Sequence, residues 1–280
     1  MEIISAKLIT SLDLHFYEVL FSDGTTDHFP SVTTILQAYP QPHLSEWKGN
    51  VGNFFAEMAK NRGAARGSRI HNAVEKMLNG AVIIYDNGLG SISQSELEFY
   101  KAHYETVIMT DQLEYNEIYR IKQLFELWHP KILLTESKVY NIKERYAGTT
   151  DLVLFIEKSS WNYNGTSYKI PKTGIYVADV KSGSVISDSA HYQTAAYKEA
   201  LDEMGVLSTI MPGEEFAGTI ILHTNSKTMK GIEGLSIKVR DEYEVLDDYQ
   251  GFKDVYSVYK RTMSNKPKIW QMPNALIYKK

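Results

Sequence analysis

The sequence predicts an α/β fold, a mixed central sheet flanked by helices, with an N-terminal β hairpin and an inserted helical block. Three observations predict it. Apolar residues recur at helical spacing through 52–129, β-rich segments crowd 132–181, and helix, strand, strand and helix patterns then follow one another. Residues 1–30 read as a β appendage, and 31–280 as one domain whose helical region spans 52–129.

The hairpin comes first. Segments 18–21 and 26–29 flank Ser22, Asp23 and Gly24, a turn composition between two β-prone runs. Ser31 then stands as an N-cap before Val32, Ile35 and Leu36, which predicts a short helix that Pro40 and Pro42 end. From 52 to 78, Phe54, Phe55, Met58, Ile70, Val74, Met77 and Leu78 suit one helix or a broken pair, with Gly63 and Gly67 as weak points. A second helical block covers 95–128, with a possible break near Thr110 and its exit at Pro130.

The period then changes. Segments 132–140, 148–156 and 175–181 are rich in β-branched and aromatic residues, and the polar stretch 157–174 reads as a long hairpin or insertion. A helix over 187–204, strands over 219–223 and 235–239, and a last amphipathic helix carrying Val245, Tyr249, Phe252, Tyr256, Tyr259 and Met263 complete the order.

Composition narrows the function classes. The 280 residues are enough for a full core, and 43% hydrophobic with 23% charged residues is ordinary globular composition. There is no run of about eighteen apolar residues, and the first residues resemble neither a signal peptide nor a transit peptide, so a soluble, cytoplasmic protein with no membrane partner is expected. Cysteine is absent, which removes disulfides, thiolate zinc sites, iron-sulfur clusters and a Cys nucleophile together. Any metal must be held by oxygen and imidazole. The net charge of -4 advertises no polyanionic partner, so a nucleic-acid reading has to rest on local features.

The strongest local feature is Asp179, Val180, Lys181 at the end of an apolar strand. Side chains alternate along a strand, so Asp179 and Lys181 project from one face roughly 7 Å apart. A carboxylate and an ammonium there can hold a metal and steer a water, although an exposed ion pair gives the same pattern. Upstream, Asp151 opens another apolar strand three residues after Gly148, and it suits either a metal ligand or a turn carboxylate capping amides. Gln193 and Tyr197 lie four apart on a helix and so share a face, suited to a phosphate or a base, or to an ordinary helix surface with a buried tyrosine. His71 follows a basic run in which Lys60, Arg62, Arg66 and Arg69 occur with no acid between them. That run is a candidate phosphate track, and the imidazole a candidate ligand, unless the run is a solvated face and the histidine structural.

In this order, Gly67 and His71 with Glu75, Glu136 on a strand, Gly148 and Asp151, Asp179 with Lys181, and Gln193 with Tyr197 resemble the RecB-like exonuclease branch of the PD-(D/E)xK nucleases. The run from Pro30 through Leu36, then Trp47, then the Gly67 and His71 helix, is similar to the mitochondrial genome maintenance exonucleases and their phage and bacterial relatives. The resemblance covers residues 30–200 and implies a restriction-endonuclease-like sheet. It implies that His71, Asp151, Asp179 and the carbonyl of Val180 hold Mg2+ or Mn2+, that Lys181 orients the attacking water, and that Glu136 supports the catalytic group. It further implies that Gln193 and Tyr197 bind nucleic acid, and that the substrate is DNA, single-stranded or with free ends. The iron-sulfur cluster of some relatives is excluded by the lack of cysteine. Left open are a structure-specific or restriction-like endonuclease, a non-catalytic nucleic-acid-binding module, and a plain α/β scaffold.

Overall fold

The computed structural model describes residues 2–11, 14–263 and 267. Strands β1 (Ile3–Ser11), β2 (Leu14–Phe21) and β3 (Thr26–Pro30) form an antiparallel sheet in that order. β2 and β3 are the expected hairpin, its turn held by Asp23 Oδ1, which accepts from Thr25 N at 2.9 Å. β1 falls within the expected β appendage but was not delimited, because its residues are at most half-buried, Ile3 and Ala6 against the Tyr17 and Phe29 cluster, and show no regular alternation. Tyr17, Val19 and Phe21 pack with Phe29 and with Ala147 of the main body.

Ser31 caps the short helix α1 (Val32–Ile35), accepting from Thr34 N at 3.0 Å. The helical stretch ends at Ala38, ahead of Pro40 as expected, and Pro42 opens the next helix, α2 (Pro42–Val51), at its first turn, where a missing N–H costs nothing. Gly52, at φ 80, separates α2 from α3 (Asn53–Leu78), which runs unbroken for 26 residues through Gly63 and Gly67. The second helical block is corrected. Past β4 (Val82–Tyr85), it is α4 (Gln94–His103), β5 (Thr106–Met109) and α5 (Gln112–Trp128), and β5 pairs in parallel with β4. Four-residue strands are too short to display a period of two, so the interruption near Thr110 read only as a break.

There follow β6 (Lys131–Asn141), β7 (Tyr146–Ile156), the small hairpin β8 (Ser160–Tyr163) and β9 (Thr166–Lys169), β10 (Gly174–Lys181), α6 (Ser189–Glu203), α7 (Val206–Ile210), β11 (Phe216–His223), β12 (Ser236–Arg240) and α8 (Glu242–Thr262). The central sheet is five-stranded and mixed, in the order β12, β11, β10, β7, β6. Only β10 and β11 pair in parallel, joined by the α6 crossover, and the other neighbours are antiparallel.

Alternation along β7 and β10 explains the layering. Leu152, Leu154, Ile156, Tyr176, Ala178 and Val180 meet Ile70 and Val74 of α3 and Ile118, Ile121 and Leu124 of α5. Val153, Phe155, Ile175 and Val177 meet α1, α6 and α8. Helices on both faces bury both faces, which is why the two strands read as continuous apolar runs. Asp151, Asp179 and Lys181 continue these strands where the apolar sequence stops.

Between α6, α8 and β12, His191 is buried and its Nδ1 has no hydrogen bond. Burial first, and then the charge of Arg240, push its pKa down to about 4. The folded chain therefore prefers the neutral imidazole, and the unfolded chain binds the proton more readily below its ordinary value of about 6.5. Stability present above that value should be lost as the pH falls toward 4, by on the order of 2 kcal/mol. Asp248 of the same cluster, pushed up to about 6 by burial, acts in the opposite sense. Comparing urea midpoints at pH 7 and pH 4.5 for the unaltered chain and His191→Gln isolates the imidazole; identical pH dependence in both would refute its part.

Candidate active site

The site forms where β7 and β10 part. Their ladder runs from Ile156↔Gly174 to Leu152↔Ala178 and stops there. One residue further, the side chain of Asp151 replaces the ladder and accepts the N–H of Val180 at 2.8 Å. A strand pair that opens at one end leaves room for polar side chains at the edge of an apolar core, and Asp151 closes the gap with a carboxylate.

Two further groups converge on that carboxylate. His71 comes from α3, with its Nδ1 3.3 Å from Asp151 Oδ2 and 3.7 Å from Glu136 Oε1. Glu136 lies on β6 between the paired positions Thr135↔Leu152 and Ser137↔Thr150, at φ 41. A glutamate in the left-handed region is strained by about 1–3 kcal/mol, and such strain persists only where the surroundings enforce it. Ligand atoms of His71, Glu136 and Asp151 all lie within 4.8 Å of one another.

On the other side of Asp151, Lys181 Nζ lies 2.8 Å from Asp179 Oδ2 and donates to Gln193 Oε1 at 3.0 Å. Gln193 Nε2 in turn donates to Asp179 Oδ1 and to the Tyr197 hydroxyl, each at 3.0 Å. Gly148 makes room for that tyrosine: a Cβ there would lie 2.4 Å from Tyr197 Cε1. Gly148 thus serves a buried ring.

The charges are coupled by proximity. Burial works against a charged His71, but hydrogen bonds to Asp151 and Glu136 outweigh it and push its pKa up to about 10. Burial would raise Asp151, yet the His71 bond, the charges of His71 and Lys181, and the Val180 N–H hold it below the usual carboxylate range. Asp179 is shifted the other way: burial, the largest influence, raises it against the pull of Lys181. Lys181 stays a cation, because Asp179 and Asp151 outweigh its burial.

This donor set fits a divalent cation. His71 Nδ1 sits between two carboxylates, 3.3 Å from Asp151 and 3.7 Å from Glu136, an arrangement of imidazole and oxygen donors that suits a metal ion. Beside the group, Asp179 Oδ2 is buried with no hydrogen bond of good geometry, and the Lys181 ammonium lies 2.8 Å from it. The chain has no cysteine, so a Cys-ligated iron-sulfur cluster is impossible.

Several expected roles change. Glu136, expected only in support, is the third donor of the close group, and Asp179 stands next to it, held by Gln193 and Lys181. Val180 also meets the site through its N–H, a contact with Asp151 that the sequence did not suggest. Tyr197 is 3% exposed and serves as a scaffold, not a stacking surface. The basic run divides. Arg66 is paired with Glu117 and donates to Ser182 O at 2.9 Å, and Arg69 holds Glu114 Oε2 at 2.9 Å. These two arginines are therefore engaged by buried acids, which corrects the phosphate track for both. Lys60 pairs with Glu57 at 3.3 Å, and Arg62 stands on the exposed stretch of α3.

Glu114, Glu117 and Thr224 were not anticipated. The available signal was matched spacing, three apart for Arg66 and Arg69 and three apart for Glu114 and Glu117, which suits two helices side by side.

Two open clefts meet at Glu136. One, about 390 Å3, is lined by Gly67, Ser68, His71, Asn72 and Glu75, and the other, about 250 Å3, by Leu8, His15, Tyr17 and Thr33 among others. A larger cleft of about 450 Å3, around Arg120 and Tyr163, lies away from these donors. No model of a known protein family matches the chain, and no curated protein matches it in sequence. Among the described residues, no helix is long and apolar enough to cross a membrane.

Proposed function

We propose that the chain is a divalent-metal-dependent nuclease of the PD-(D/E)xK kind, in its RecB-like exonuclease branch, hydrolysing phosphodiester bonds of single-stranded DNA or of DNA ends. The observation that carries this reading is the meeting of His71, Glu136, Asp151, Asp179 and Lys181 at the open end of two neighbouring strands, from four separate stretches of chain. A mixed sheet with helices on both faces and its polar edge at one strand end is the setting that a restriction-endonuclease-like fold requires.

Phosphodiester hydrolysis needs a water made nucleophilic and relief of the charge that builds on the phosphate oxygens. Mg2+ or Mn2+ held by His71, Glu136 and Asp151 supplies Lewis-acid charge for both needs, and these ions accept oxygen and imidazole donors. The chain's own part is positioning. Gln193 bridges Lys181 and Asp179 by hydrogen bonds to both, so the ammonium is presented at a fixed place beside the donor group. From there Lys181 orients the attacking water and offsets developing negative charge. Asp179 keeps the ammonium charged. The two clefts give a strand room on either side of the scissile phosphate.

The test is direct. Purified protein with Mg2+ should degrade end-labelled linear single strands and leave a covalently closed circle intact, and chelation by EDTA should stop the reaction. Cleavage of the circle would shift the reading to an endonuclease, and no cleavage of any DNA with Mg2+ or Mn2+ would remove it.

A further inference from the structure

We propose that Glu117 is a positioning residue that locks the two halves of the site together, setting helix α3 with His71 against the end of β10 with Lys181. Its kinetic consequence rests on the nuclease reading, but its geometric content does not.

Glu117 is 1% exposed, on the face of α5 turned toward both α3 and the sheet. Its carboxylate takes the guanidinium of Arg66, which stands on α3 a little over one turn before His71. It also accepts from Thr224 Oγ1 at 2.5 Å. Both donors reach onward to the same place. Thr224 N donates to Lys181 O at 3.0 Å, and Arg66 Nη1 donates to Ser182 O at 2.9 Å. Asn225 adds a contact to Ser182 O at 3.3 Å, and Arg120 Nη1 holds Thr224 O at 2.7 Å. The carbonyls directly after the last catalytic side chain are thus fixed by groups that Glu117 organises.

A buried carboxylate is expensive, and burial raises the pKa of this one against the pull of Thr224, Arg66 and Arg120. Ion pairs of this kind add little net stability compared with apolar packing, and their best-attested use is to fix register. The neighbouring pair sharpens the distinction. Glu114 meets Arg69 of α3, so it ties helix to helix. Of the two, Glu117 alone also holds a residue, Thr224, that bonds the end of the strand carrying Lys181.

The experiment compares Glu117→Gln, Thr224→Val and Glu114→Gln with the unaltered chain. Hydrogen exchange at the Thr224 amide, the donor to Lys181 O, reports the lock itself. Exchange should quicken in Glu117→Gln, and in Thr224→Val at residue 224, and stay slow in Glu114→Gln, whereas loosened α3–α5 packing alone would affect both glutamate variants alike. In single-turnover DNA cleavage, Glu117→Gln should lose roughly tenfold to a hundredfold in kcat with KM unchanged, the effect of a misplacement near 1 Å. Unaltered exchange in both Glu117→Gln and Thr224→Val would overturn the lock. Unaltered kcat in a cleaving Glu117→Gln protein would overturn its catalytic consequence. If the unaltered chain cleaves nothing, the nuclease reading alone fails, and the exchange result still decides whether Glu117 fixes the strand end. Thr224→Val keeps the question open to measurement should Glu117→Gln fail to fold.

Discussion

Lys181→Ala is expected to lower DNA cleavage by at least about a hundredfold while leaving DNA binding within a few-fold of the unaltered chain. The Lys181 ammonium stands beside the donor group, 2.8 Å from Asp179 Oδ2 and fixed by Gln193 at 3.0 Å. Its side chain is 29% exposed, enough to meet a water or a phosphate oxygen and too little to hold a long strand. The loss therefore falls on the chemical step. Folding carries a second cost. Removing one partner of a buried pair commonly costs about 3–5 kcal/mol, because the other charge is left uncompensated. Asp179 already has a raised pKa from burial, so it takes a proton with little penalty once the ammonium is gone, and the cost shrinks as the pH is lowered. Urea melts near pH 5 and pH 8, beside single-turnover cleavage and equilibrium binding, separate the two effects. Undiminished turnover in Lys181→Ala would remove its catalytic role.

The parts legible in the sequence are those fixed by local pattern. Runs 152–156 and 175–178 are apolar at every position, which requires a sheet covered on both faces, and the residues that break each run, Asp151 and Asp179, mark its open end. Ser31 identifies the start of its helix through one side-chain oxygen and the N–H three residues on. The parts that were not legible depend on partners far along the chain. Arg66 and Arg69 read as a cationic track because their acids lie 51 and 45 residues away. Tyr197 offers a ring and a hydroxyl that suit a base equally well, and only the missing Cβ of Gly148 decides that the ring is buried. Glu136 seemed peripheral because a strand ordinarily aims successive side chains at opposite faces, and its left-handed backbone departs from that rule.

Removing Asp151 should have the widest effect of any single change, since three functions meet on one carboxylate. It accepts the Val180 N–H that holds the parted strands, it holds the His71 ring in place, and it contributes to the close donor group. In Asp151→Ala the Val180 amide is left buried without an acceptor, which costs about 1–3 kcal/mol, and the His71 proton loses its strongest partner. Affinity for Mn2+, read by calorimetry, should fall at least about a hundredfold, the upper end of what even an outer partner of a metal ligand costs. Asp151→Asn divides these consequences. Its amide carbonyl can still receive the Val180 N–H, so the melting temperature should recover most of the loss, but a neutral amide neither holds the His71 proton nor neutralises a divalent ion. Cleavage should therefore remain absent in a protein that folds normally. Tight Mn2+ binding by Asp151→Asn would mean that the ion is held elsewhere, and the donor group of His71, Glu136 and Asp151 would then be a structural ion cluster.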